Sequence, residues 1–173
     1  IKLLLFFQII LFTSPLCFAH ENKVIHPFIL TGKAWTLLKD KTTPSVPSGT
    51  SLYLELWNYF YDTTMPSGYS QGNDNYDISR IQKQGTLGTI KEDEPLGIRC
   101  LNHFYNPYNP PTYEPWWGFM PGVKNAVEWG KPLWEGAIER YGEGKKSEGF
   151  LALGRVLHLL EDMSSPPHVH SDA

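Results

Sequence analysis

The stretch Ser147–Met163 constrains this chain more than any other. Its apolar residues recur at helical spacing, and Pro166-Pro167 ends it, because proline cannot continue a helix and disfavours helical geometry in the residue before it. Within the stretch His158 and Asp162 stand four apart. A helix stacks such a pair on one face, about 6 Å apart at Cβ. His168 follows six residues after Asp162, beyond the double proline, where the chain can turn back toward the same face. Gly154, one turn before His158, removes side-chain bulk there, so another helix or a ligand can approach.

Two readings of the His158–Asp162 pair stand. A solvated surface pair at this spacing is common and contributes only a few tenths of a kcal/mol. The flanking Leu153, Val156, Leu157, Leu159 and Leu160 instead favour burial. A buried imidazole and carboxylate need partners, and one divalent cation between them satisfies both.

The rest of the chain reads as helices joined by long irregular connections. Ile29, Leu30, Ala34, Trp35, Leu37 and Leu38 recur at helical spacing within Pro27–Lys39, whereas Lys41–Thr50 and Met65–Asn75 read as loops. Leu52–Tyr61 fits either helix or strand. Between Thr86 and Pro115 the only periodic segment is a short one around Ile98–Tyr105, and Pro107, Pro110, Pro111 and Pro115 keep the following chain extended. Val123–Tyr141 predicts a helix with Val123, Ala126, Val127, Trp134, Ala137 and Ile138 on or near one stripe. Pro132 predicts a kink or a break within it. Connections this long in a compact domain usually serve a site.

The N-terminus reads as an address. Lys2, the ten-residue apolar run Leu3–Phe12 and the small-x-small exit Cys17-Phe18-Ala19 are the parts of a secretory signal peptide over residues 1–19. The run is too short to span a bilayer, which takes roughly 20 apolar residues; the alternative is an uncleaved anchor. Cleavage after Ala19 would start the mature chain at His20 and leave Cys100 as its one thiol, with no internal disulfide. The missing initiator Met and the uncapped end at Ser171-Asp172-Ala173 suggest a chain truncated at both ends.

Composition removes several classes. Fifteen basic against 18 acidic residues give a net charge of −3, which shows no bulk basic surface for nucleic acid or anionic membrane. Aromatic residues at 14% exclude an intrinsically disordered chain, and two cysteines exclude a disulfide scaffold or a Cys-rich zinc finger. Neither a Ser-His-Asp pattern nor a phosphate-cradling glycine loop is present.

Leu153–His168, with its His, three residues, Asp, five residues, His pattern and prolines before the last histidine, resembles the zinc-dependent phospholipase C family, which shares a three-metal site with fungal and plant single-strand nucleases. Two further segments carry the likeness. His26-Pro27-Phe28-Ile29-Leu30-Thr31 resembles the family's first histidine helix. Glu92-Asp93-Glu94, Arg99 and Asn102-His103-Phe104-Tyr105-Asn106-Pro107 resemble its aspartate and second histidine.

The resemblance implies an all-α, multi-helix bundle over residues 20–173, incomplete at its C-terminal end, binding two to three zinc ions. Asp93, His103, His158 and Asp162 would hold one zinc; Asp162 would bridge to a second, shared with His26 and the mature amino terminus; His168 would belong to a third. The third site is incomplete, since His170 and Asp172 lie too near His168 to serve as its usual partners. Glu92 can replace Asp93 as the ligand. As isolated residues, His26 can also be a loop residue and His103 an aromatic-core histidine, while Trp116-Trp117 read chiefly as core. The implied activity is that of a secreted, periplasmic or extracellular hydrolase cutting a phospholipid phosphodiester in peripheral contact with a membrane, with Asp93 taking the proton of the attacking water. An extracellular nuclease acting on nucleic acid with the same site, and a secreted zinc-binding protein without catalysis, are the alternatives.

Overall fold

A computed structural model describes residues 51–60, 81–93, 98–110, 112–114, 121–165 and 168–169, the side chains at 51–53 and 98 excepted. The expected signal peptide, the His26 helix, the two loops before residue 80, Trp116-Trp117, His170 and Asp172 lie outside them. The fold is all-α: helices α1 (Ser51–Tyr59), α2 (Gln84–Lys91), α3 (Ala126–Gly142) and α4 (Lys146–Asp162), a 3-10 helix at Ile98–His103, and no strand among the described residues. None of these helices is long and apolar enough to cross a membrane.

α4 is the centre of the packing, with α2 along one side and α3 along another. Its buried residues are Gly149, Phe150, Ala152, Gly154, His158, Leu159 and Asp162, one continuous face at helical spacing. Phe150 anchors the far end, stacked on Tyr59 with ring centroids 5.7 Å apart and edge-on to Phe60 and Tyr141. Glu55 of α1 accepts hydrogen bonds from the Tyr141 hydroxyl and the Lys146 ammonium, tying α1 to the α3–α4 hairpin. The Lys146 bond, then the Tyr141 bond, holds the Glu55 carboxyl below its ordinary pKa.

The α2–α4 crossing is made of glycine. A β-carbon on Gly88 would stand 2.2 Å from the Leu151 carbonyl oxygen, and one on Gly154 would stand 2.0 Å from that of Gly85. The space that Gly154 leaves on α4 is therefore filled by a helix.

α2 was not legible as a periodic segment. It is QGTLGTIK, with two glycines and two β-branched threonines that lower helix propensity. Tertiary contacts hold it: Thr86 donates its backbone N–H to the Phe60 carbonyl at 2.8 Å, and Gly85, Thr86, Gly88, Thr89 and Ile90 are all buried. The Lys83 ammonium donates to the Trp57 and Asn58 carbonyls at 2.7 and 3.2 Å, capping the α1 C-terminus beside it.

α3 starts at a true cap, where the Asn125 side chain accepts from the Glu128 N–H at 3.0 Å and donates to the Thr112 carbonyl at 2.6 Å. Pro132 lies inside one continuous 17-residue helix and does not divide it. The expected apolar stripe is only partly used: Val123, Ala126 and Ala137 are buried, while Val127, Trp134 and Ile138 are exposed. Leu52–Tyr61 resolves to helix α1. Cys100 is buried and, in the chain of residues 1–173, disulfide-bonded; the lone thiol is expected only after cleavage at Ala19.

Candidate metal centre

The C-terminal ends of α2 and α4 meet at the 3-10 helix, and the polar residues gathered there are buried. Asp93, His103, His158, Asp162 and His168 all have less than 4% of their surface exposed. So many charged side chains withdrawn from water need strong mutual compensation. Both helices also bring the negative ends of their dipoles to this place, which favours a cation.

Each side chain is set by its element. The last four carbonyls of a helix lack partners within it. Near the end of α2, Thr89 offers its carbonyl to the His158 ring, 2.6 Å from Nδ1. Only a protonated nitrogen can bond to a carbonyl oxygen, so Nδ1 donates and Nε2 is left facing the other way. Lys91 offers its carbonyl to the Arg99 guanidinium at 3.3 Å. Glu92 is the C-cap of α2, and Asp93 follows directly. His103 ends the 3-10 helix. The next residue, Phe104, is fully buried beside Leu101 and Val123 and lies against the His168 ring with centroids 4.6 Å apart. Tyr105 donates its N–H to the His168 carbonyl at 3.0 Å, holding the segment past the double proline against the histidine loop.

The donor atoms converge. His158 Nε2 is 3.4 Å from Asp93 Oδ2 and 3.3 Å from Asp162 Oδ2. His103 Nδ1 is 3.3 Å from Asp93 Oδ1 and 2.9 Å from Asp162 Oδ2. One ligand atom from each of Asp93, His103 and His158 lies within 4.8 Å of the others. These spacings test the fit to a metal. A tetrahedral ion holding nitrogen and oxygen at about 2.0–2.2 Å keeps its ligand atoms roughly 3.4 Å apart. Three of the four separations are near that length, the two to Asp93 running to its different oxygens, and are longer than a charge-assisted hydrogen bond of about 2.7–2.9 Å. His158, whose Nδ1 donates to Thr89, turns Nε2 toward two carboxylate oxygens, an arrangement a divalent cation would satisfy. The donor set fits a metal.

Without a metal, His103 carries the compensation. Burial lowers its pKa, but the Asp162 and Glu92 carboxylates on its two sides and the charge of Asp93 outweigh that and hold it up at about 10.

Of the residues singled out from sequence, the structure brings together Asp93, His103, His158, Asp162 and His168. His168 Nδ1 lies 3.5 Å from Asp162 Oδ1, the oxygen opposite the one near His103 and His158. His26 lies outside the described residues. Asp93 and not Glu92 faces the two imidazoles. Glu92 sits behind His103, 3.7 Å from Nε2. Sequence reasoning missed the Thr89 carbonyl, since a backbone group carries no residue signature. It also missed Trp129 and Arg155, which contact Glu92 and stand in α3 and α4 without a motif.

A 71-residue segment, 41% of this chain, is 35% identical to a phospholipase C of Listeria monocytogenes. The match takes in 22% of that protein's length. No protein-family model matches the chain, and no solved structure matches it significantly.

Proposed function

We propose that the chain is a secreted, zinc-dependent phosphodiester hydrolase of the phospholipase C kind, cutting the glycerol-side phosphodiester of phospholipids. The convergence of Asp93, His103, His158 and Asp162 at tetrahedral-edge spacings carries this reading. The partial identity to a phospholipase C supports the substrate class, and the signal-like residues 1–19 support secretion. When bound, zinc would neutralise charge on the phosphate oxygens and lower the pKa of water toward about 7.

The chain's own residues divide the work. His103 and His158 would hold the ion, each through the ring nitrogen that faces Asp93 and Asp162. Asp162 turns Oδ2 to those histidines and Oδ1 to His168, so one carboxylate can serve two ions; His26 and His168 would complete the further sites. Asp93 presents one oxygen to each imidazole and is the acceptor for the proton of the attacking water. That water adds to phosphorus as the bond to the glycerol oxygen breaks, and the leaving oxygen takes up a proton, returned from Asp93 or drawn from water, to give diacylglycerol and a phosphomonoester.

The test is zinc analysis of the purified protein, with assays on phosphatidylcholine vesicles and on single-stranded DNA. The expected result is two to three zinc ions per chain and release of phosphocholine, both lost together in His158→Ala. Cleavage of DNA and not lipid would move the assignment to a nuclease. Zinc uptake with neither activity would make the chain a binding protein, and full zinc retention by His158→Ala would overturn the site.

A further inference from the structure

Glu92 is a buried acid that the proposed chemistry leaves unused. Its side chain is fully buried. Trp129 donates its indole N–H to Oε1 at 2.6 Å, and Arg155 Nη1 lies 3.7 Å from Oε2. Arg99 Nε lies 4.0 Å from Oε1, with its guanidinium over the Trp129 ring at 5.6 Å from the centroid. The same Oε1 is 3.7 Å from His103 Nε2, while His103 Nδ1 faces Asp93 and Asp162.

A histidine ligand gives one nitrogen to the ion and must keep its proton on the other. For His158 the Thr89 carbonyl takes that proton's hydrogen bond. For His103 the group behind the ring is Glu92. The geometry points to Glu92 as a positioning residue: its buried carboxylate, 3.7 Å behind the ring and so acting through its charge across more than hydrogen-bond length, favours the His103 proton on Nε2 and leaves Nδ1 to Asp93 and Asp162. This role rests on the metal reading above. Trp129 and the two arginines explain why Glu92 stays behind the ring: they fix its carboxylate and balance its charge, so it neither swings toward the cation nor stands uncompensated in the interior. Such outer carboxylates typically change metal affinity about 10–100-fold when removed.

The experiment is zinc titration against a chromophoric chelator, together with the visible spectrum of the cobalt-substituted protein, for wild type, Glu92→Ala, Glu92→Gln and Trp129→Phe, with circular dichroism confirming the fold. Glu92→Ala is expected to weaken zinc about 10–100-fold without changing the number of ions, and to shift the cobalt bands. Glu92→Gln, which keeps an acceptor oxygen, is expected to recover most of the affinity. Trp129→Phe, which removes the donor that steadies Glu92 and shrinks the ring under Arg99, is expected to fall between wild type and Glu92→Ala. Should Glu92→Ala not fold, Trp129→Phe reads the same loss. Affinity and cobalt spectrum unchanged in the folded variants would overturn the positioning role and leave the metal site standing. Failure of the wild type itself to bind zinc or cobalt would overturn both.

Discussion

Gly154 of α4 meets Gly85 of α2 so closely that a β-carbon on the first would stand 2.0 Å from the carbonyl oxygen of the second. This contact sets the distance between the helix that leads into Asp93 and the helix that carries His158 and Asp162.

Gly154→Ala therefore has to push α2 away from α4. Overpacking of this kind costs typically about 1–3 kcal/mol, and here the obstacle is backbone, which cannot rotate aside. The expected outcome is a stability loss at or above the upper end of that range, read from urea unfolding, together with weaker metal binding because Asp93 retreats with α2. Gly144→Ala, at an exposed turn with φ +81, should cost stability without touching metal affinity.

Asp162→Asn keeps the size of the side chain and removes the charge that faces His103 and His158 at 2.9 and 3.3 Å. Metal content measured by elemental analysis should fall by at least one ion per chain. Catalytic rate should fall with it, in parallel with His158→Ala.

The pH response should differ between metal-free and metal-loaded protein. In the metal-free fold His103 holds its proton up to about 10, whereas an unfolded histidine releases it near 6.5. The stabilisation from this cation is full below about 6.5 and is lost as the pH rises through about 10. Thermal unfolding after chelation should show Tm falling by several degrees from pH 7 to pH 10. Metal uptake must displace this proton, so calorimetry in buffers of different ionisation enthalpy should record proton release on binding.

Phe104 has no exposed surface and separates the His103 and His168 segments, packing on the imidazole of His168. Phe104→Ala should destabilise by about 3–5 kcal/mol. Chemical denaturation measures that loss. Phe104→Leu should recover much of it, because the lining is largely filled again.

The end of the chain was legible because its information is local: His158, Asp162 and Gly154 lie on one helix, where spacing alone fixes their shared face. His103 was singled out through the likeness of His103-Phe104-Tyr105-Asn106-Pro107 to a family motif, since its aromatic neighbours alone also suit a core histidine. α2 was not, because a helix of glycine and threonine has neither propensity nor periodicity, and it persists only through the neighbours it touches. The choice between Glu92 and Asp93 turned on how α2 ends, which no residue pattern displays. At Pro132 a kink or a break was expected, and the break does not occur: packing against α4 keeps α3 continuous through a residue that would weaken a free helix.

The hydrogen bond from His158 to the Thr89 carbonyl joins residues 69 positions apart. During synthesis Asp93 and His103 emerge long before His158 and Asp162. A nascent chain stalled before α4 therefore holds half of these ligands, and the centre closes only when that helix docks.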